Sequence, residues 1–384
     1  MRKWTTKDFP VGFYHLHSDF SINFQMNRFY NWTDEETMLE EMRDVSSTIH
    51  SYHDLIKRFV ELGEISLKKN EILKAAYYFR GAEFYVPESD PNKQELRKQF
   101  ITLARDFYEI SDNQHYLIPY ENGFLSAYRI SPVKPKGTLV IFGGFDSYVE
   151  ELFRMGMIFR DAGYDVICFD GPGQGSALED YKIPMSYKWE QPVKSILDYF
   201  ELNNVTVIGM SLGGYLSLRA AAYEKRVKRV IAYDILMDFY DVLTNQLNPD
   251  FRVKFNDLIA QEKAEEINEV LHKLMEKSLM LEWGIMQGMH ITGSSSPYDF
   301  FQSIMAYNTE SFSHLITQDV LLLAGQNDHY VPIKQFTNQI FALTKVHSLT
   351  ARMFTSKESA DTHCQIGNLG LATEVMLNWL NQVN

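Results

Sequence analysis

The chain has 384 residues, 45% of them apolar and 23% charged, with a net charge of −13. That balance is globular and long enough for about two domains, while its acidity argues against binding a phosphate backbone. Two cysteines, Cys168 and Cys364, exclude a disulfide framework or a four-cysteine zinc site. The start lacks a signal peptide's apolar core, and no apolar run nears the roughly 20 residues that span a bilayer. The chain therefore reads as cytoplasmic, with neither nucleic acid nor membrane as partner.

Residues 1–112 read as a helical N-terminal cap region. "TDEETMLEEM" opens on Thr33 with Glu36 three residues on, the pattern of a capping box. "DLIKRFVELGEISL" and "EILKAAYYFRGAEFYV" repeat apolar residues at helical spacing. Asp90 before Pro91 starts a further helix. The aromatic run "INFQMNRFYNW" reads first as helical core and second as a pocket wall.

From residue 113 the period changes. "HYLIPYENGFLSAYRISP" predicts a hairpin turning at Asn122-Gly123. Strands "TLVIFGG", "YDVICFD", "VTVIGMS", "VKRVIAYDI" and "DVLLLAG" then alternate with helices. This rhythm implies a mostly parallel sheet covered by helices on both faces. Residues 236–314 interrupt it with charged helical sequence, too long for a plain loop. They predict a helical insertion that would form a lid, leaving 113–235 and 315–384 as the core.

The strongest chemical signal is "VIGMSLGG". Gly209-Met210-Ser211-Leu212-Gly213 fits G-x-S-x-G between a strand and a helix, a sharp turn that exposes a nucleophilic hydroxyl. Such a serine needs a base and an orienting acid, here in the chain order Ser, acid, His. Asp328 follows the strand "DVLLLAG", and His363 precedes the last helix. Asp234 is the rival acid. His329 is too close to Asp328 in sequence to take its bond, and His290 and His347 lack a following terminal helix. Cys364 has no elbow around it and reads as a buried structural thiol.

An oxyanion hole needs the N–H after the serine, on Leu212, and a second from the loop "FGGFDS". Phe145 supplies it, with Gly144 as runner-up. "FDGPGQGS" looks like a phosphate loop but matches neither nucleotide motif, so it reads as a turn. His15 and His17 lack a third metal ligand. The reading holds no metal and no cofactor.

"GMSLGG", "GQNDHYVP" and "DTHC", in that order, resemble the α/β-hydrolase superfamily over residues 114–384. "GGFDSYVEE" and "FDGPGQGS" narrow the resemblance. They are similar to 2,6-dihydroxypseudooxynicotine hydrolase, the fungal polyketide-shortening hydrolases, and esterase-like proteins related to the fermentation-respiration switch protein. The resemblance implies an α/β-hydrolase fold, a Ser211-Asp328-His363 site between the helical region and the core, and often a homodimer. It also implies an auxiliary active-site acid at Asp146, where the pseudooxynicotine enzyme carries Glu.

These readings converge on a serine hydrolase of a small-molecule carbonyl substrate, cleaving the C–C bond of a diketone-like compound or an ester bond. A prolyl-oligopeptidase-like peptidase and a non-catalytic binding relative are the rivals. Asp146 beside an oxyanion is expected to turn aside toward substrate or to be held protonated by burial. Its alternative is to cap the next helix, which Glu150 and Glu151 would begin. A narrow apolar tunnel would favour acyl esters, and an aromatic cavity containing Asp146 an aryl diketone.

Overall fold

The computed structural model describes residues 2–383. Five helices come first: α1 (Phe20–Thr33), α2 (Glu36–Ser46), α3 (Tyr52–Lys68), α4 (Ile72–Glu83) and α5 (Asn92–Phe107). The sheet region follows as β1 (His115–Tyr120), β2 (Gly123–Ile130), β3 (Thr138–Phe142), α6 (Phe153–Asp161), β4 (Asp165–Phe169), α7 (Gly175–Glu179), α8 (Glu190–Tyr199), β5 (Val205–Met210), α9 (Gly213–Tyr223) and β6 (Val227–Tyr233). Between β6 and β7 lie α10 (Phe239–Thr244), α11 (Pro249–Ala260), α12 (Ala264–Met275), α13 (Leu279–Thr292) and α14 (Pro297–Ile304). The chain closes with β7 (Asp319–Gly325), α15 (Ile333–Ala342), β8 (Ser348–Phe354) and α16 (Leu369–Val383).

The eight strands form one sheet in the order β1-β2-β4-β3-β5-β6-β7-β8. β2 runs antiparallel to β1 and β4, and the pairs from β4 to β8 are parallel. Side chains alternate across each strand. Leu139, Ile141, Ile208, Ile231 and Leu321 therefore pack on one face with α6, α16 and the N-terminal helices. Val140, Phe142, Val207, Val230 and Leu322 pack on the other with α8, α9 and residues of α11, α12 and α14. Both faces are buried, which is why these strands read as continuous apolar runs. No helix among the described residues is long and apolar enough to cross a membrane. The described residues before β1 contain no strand, so nothing there builds a propeller.

Three local readings are corrected. Thr33 ends α1 instead of capping α2: its hydroxyl donates to the Tyr30 carbonyl (2.9 Å), and Asp34 turns left-handed (φ 60°). The hairpin turn is Glu121-Asn122, because Gly123 pairs with Tyr120. Gly123 is glycine for packing, since a Cβ there would lie 2.6 Å from the Tyr181 side chain. Glu150 and Glu151 lie in a 3₁₀ turn (Val149–Leu152) and are almost wholly buried, where they meet side chains instead of solvent.

Candidate active site

Ser211 sits between β5 and α9 with φ of +63°, a left-handed conformation that non-glycine residues adopt only under constraint. The constraint is visible in the backbone. Ser211 N–H donates to the Tyr233 carbonyl (2.7 Å), and Gly214 N–H donates to the Ser211 carbonyl (2.7 Å). The flanking glycines allow the close passage: a Cβ on Gly209 would lie 1.9 Å from the Gly213 carbonyl oxygen.

Ser211 Oγ is 2.8 Å from His363 Nε2, and His363 Nδ1 is 2.7 Å from Asp328 Oδ2. Asp328 Oδ1 accepts the N–H groups of Tyr330 (2.8 Å) and Val331 (2.9 Å), which fixes the carboxylate. Burial alone would raise the Asp328 pKa, but His363 and these donors outweigh it and hold it below the usual range. Burial would lower His363, yet the Asp328 charge outweighs it and holds the imidazole well above its ordinary value.

The rivals lie elsewhere. Asp234 Oδ2 is 3.9 Å from His363 Nδ1 and accepts the Cys364 N–H (3.0 Å) instead. Burial and the nearby Asp328 charge push Asp234 well above the carboxylate range. His329 is wedged against Phe24 (ring centroids 4.4 Å), and burial drives its pKa down to about 3. His290 lies between Glu88 and Glu179, and His347 is bound to Asp319. His17 Nε2 meets the Ile49 carbonyl and Nδ1 accepts from Asp19 N–H, while His15 is exposed, so the two do not form a metal pair. Asp234, His363 and Cys364 do bring ligand atoms within 4.8 Å. The imidazole in that group already faces Ser211 and Asp328 through its two nitrogens.

The loop after β3 meets the serine turn directly, since a Cβ on Gly144 would lie 2.7 Å from Leu212 N. Each carbonyl from residue 143 to 146 accepts a side-chain donor. Gln174 Nε2 holds Gly143 and Gly144 (2.9 and 3.0 Å), Gln287 holds Phe145 (3.4 Å), and Arg80 holds Asp146. In a trans peptide the N–H points opposite to the preceding carbonyl. Gln174, by pulling on the Gly144 carbonyl, therefore turns the Phe145 N–H the other way. Gly144 N–H is itself engaged with Ser147 Oγ (3.2 Å). Phe145 and Leu212 both line the cavity with Ser211, and among the described residues neither N–H has a backbone acceptor.

"FDGPGQGS" thus buttresses this loop. Its own Asp170 fills any anion position, accepting the Val149 (2.9 Å) and Ser176 (3.2 Å) N–H groups.

Asp146 neither caps a helix nor stands alone. Its Oδ1 accepts from Arg28 Nη1 (3.0 Å), and Arg28 Nη2 reaches Glu151 (2.8 Å). Glu151 also takes Arg80 Nε (2.9 Å), and Arg80 Nη1 takes Glu83 (2.6 Å). Burial would raise Glu151, but the two guanidinium groups hold it below its ordinary value. Sequence reading missed this network. Its available signal was Arg28, the single charged residue in α1 and one that sits among aromatics.

The cavity before Ser211 measures about 130 Å³. α1 supplies Phe24 and Arg28, the post-β3 loop Phe145 and Asp146, and the helices between β6 and β7 Phe239, Trp283 and Phe301. Aromatic and aliphatic walls thus enclose Arg28 with its two carboxylate partners, Asp146 and Glu151.

Residues 137–343, more than half of the chain, match the family described as alpha/beta hydrolase fold. The chain belongs to the α/β-hydrolase family. This hydrolase is 27% identical over 340 residues to Hydrolase LUC6 of Fusarium sp, covering 81% of this chain and 80% of that one. It is 26% identical over 336 residues to 20-hydroxy-prefusarin hydrolase FUS2 of Gibberella moniliformis, covering 80% and 79%. The solved structure of 2,6-dihydroxy-pseudo-oxynicotine hydrolase superposes with a TM-score of 0.59 at 19% identity, covering 86% and 87%, a likeness of fold. The resemblance drawn from "GGFDSYVEE" and "FDGPGQGS" is thereby borne out at the level of family and group.

Proposed function

We propose that this α/β-hydrolase is a serine hydrolase of small-molecule carbonyl compounds, with Ser211 as nucleophile, His363 as general base and Asp328 as its orienting acid. The observation that carries the reading is the unbroken Ser211–His363–Asp328 chain, at 2.8 and 2.7 Å, on a strained turn facing the cavity. His363 Nε2 takes the Ser211 proton as Oγ bonds to the substrate carbonyl carbon. Phe145 and Leu212 N–H groups receive the oxyanion. On collapse the acyl carbon stays on Ser211 and the leaving group takes the proton from His363. Water, deprotonated by His363, then releases the acid.

The bond broken is, in this reading, the C–C bond of a diketone-like substrate. A carbon leaving group needs its developing enolate steadied, and the Arg28–Asp146 pair places charged groups in a largely apolar cavity. The names of FUS2 and the pseudooxynicotine hydrolase, each a hydrolase of a named small molecule, support a small-molecule substrate. The carboxylesterase reading shares every step except the leaving atom.

Asp146→Asn separates the two. It keeps the side-chain shape but removes the charge facing Arg28. C–C substrates are expected to lose about 10²-fold or more in kcat, while simple phenyl esters lose little. Product analysis of a 1,3-diketone and an aryl ester with both proteins checks this. Equal kcat of wild type and variant on the diketone would remove Asp146 from the chemistry.

A further inference from the structure

Helix α13 borders the cavity with two adjacent residues, Trp283 and Gly284, and packing explains only the first. A helix-interior glycine costs about 1 kcal/mol relative to alanine. Gly288, on the same helix, has a steric reason, because a Cβ there would lie 2.1 Å from the Phe300 ring. Gly284 has none: a Cβ there meets nothing within 4 Å, and Gly284 lines the cavity before Ser211. Its missing side chain is volume left open in front of the nucleophile.

Trp283 lines two spaces at once, the inner cavity of about 130 Å³ and an outer groove of about 1400 Å³. The groove runs between α3, the segment after α4, and α13. The indole stacks on Phe84 (4.6 Å, 15°) and donates to its carbonyl (3.3 Å). Its edge meets Phe145 (5.8 Å), the residue that offers an oxyanion N–H. A cavity of about 150 Å³ holds one benzene ring. A single ring therefore fits the inner space, and a longer substrate needs further room, which the groove on the far side of Trp283 would supply.

We infer that Trp283 and Gly284 set the substrate size. Gly284 keeps room for a ring-sized group at Ser211, and Trp283 is the partition past which an elongated tail enters the groove. The substrate class is a carbonyl compound with such a tail. This rests on Ser211 as nucleophile, so the test reads labelling of that serine directly.

Ethyl and decyl alkyl fluorophosphonates are compared by intact-mass rates on wild type, Trp283→Ala and Gly284→Leu. Trp283→Ala is expected to raise the decyl-to-ethyl rate ratio about tenfold or more, the scale of a few methylenes in an apolar site. Gly284→Leu is expected to slow both probes about tenfold or more without lowering the thermal midpoint, because its side chain enters open space. Trp283→Leu replaces the alanine variant if that one unfolds. An unchanged ratio with normal ethyl labelling, or a Gly284→Leu protein that labels at the wild-type rate or unfolds, overturns the inference while leaving Ser211 intact. Failure of wild type to label with either probe removes the nucleophile, and this inference with it.

Discussion

Asp328→Asn is expected to lower kcat by about 10⁴-fold, the loss that follows when an amide presents the wrong partner to the imidazole. The carboxylate does two things that asparagine does not. In the proposed mechanism it accepts the hydrogen bond of His363 Nδ1–H, leaving Nε2 for Ser211, and it would stabilise the imidazolium formed as Ser211 attacks. Asp234 is no substitute, since its Oδ2 stands 3.9 Å from Nδ1 and is held by the Cys364 N–H. The pH profile supplies a second readout. The base must be neutral, and Asp328 outweighs burial to hold His363 well above 6.5. In wild type kcat/KM therefore rises with pH, with a midpoint above 6.5. In Asp328→Asn that midpoint moves down, because burial loses the largest charge that opposes it. A variant with near-normal kcat, or an unmoved midpoint, contradicts this role.

Glu151→Gln is expected to destabilise the fold by about 3–5 kcal/mol, the cost of leaving buried charges without their partner. That is a large share of the roughly 5–15 kcal/mol that holds a typical protein folded. Glu151 accepts Arg28 (2.8 Å), Arg80 (2.9 Å) and the Tyr148 N–H (3.1 Å), and its side chain is 2% exposed. Arg80 also holds the Asp146 carbonyl, so the same substitution loosens the loop that carries Phe145. Urea unfolding of both proteins measures the effect. An unchanged midpoint would mean that the ionic network contributes nothing net.

The sheet and the Ser-His-Asp constellation were legible because both are encoded locally. Strands buried on two faces are unbroken apolar runs, and the elbow is a pentapeptide whose strand and helix adjoin it. The chain order of Ser211, Asp328 and His363 then picks the partners. What stayed hidden depends on contacts between distant segments. Arg28 and Asp146 lie 118 residues apart, and no spacing rule joins them. Gln174 reads as part of a glycine turn, yet its amide holds the loop after β3 from about 30 residues away. Gly123 reads as a turn glycine because packing against Tyr181 leaves no mark in the local pattern. Glu150 and Glu151 looked like exposed first-turn acids, because burial of a charge depends on partners that only the tertiary fold brings near.

The central claim is that Ser211 is the nucleophile, and covalent labelling with a fluorophosphonate, read by peptide mass spectrometry, tests it most directly. The expected result is one phosphonyl group per chain, located on Ser211, and none on Ser211→Ala. Labelling of another residue, or equal labelling of the alanine variant, would contradict it.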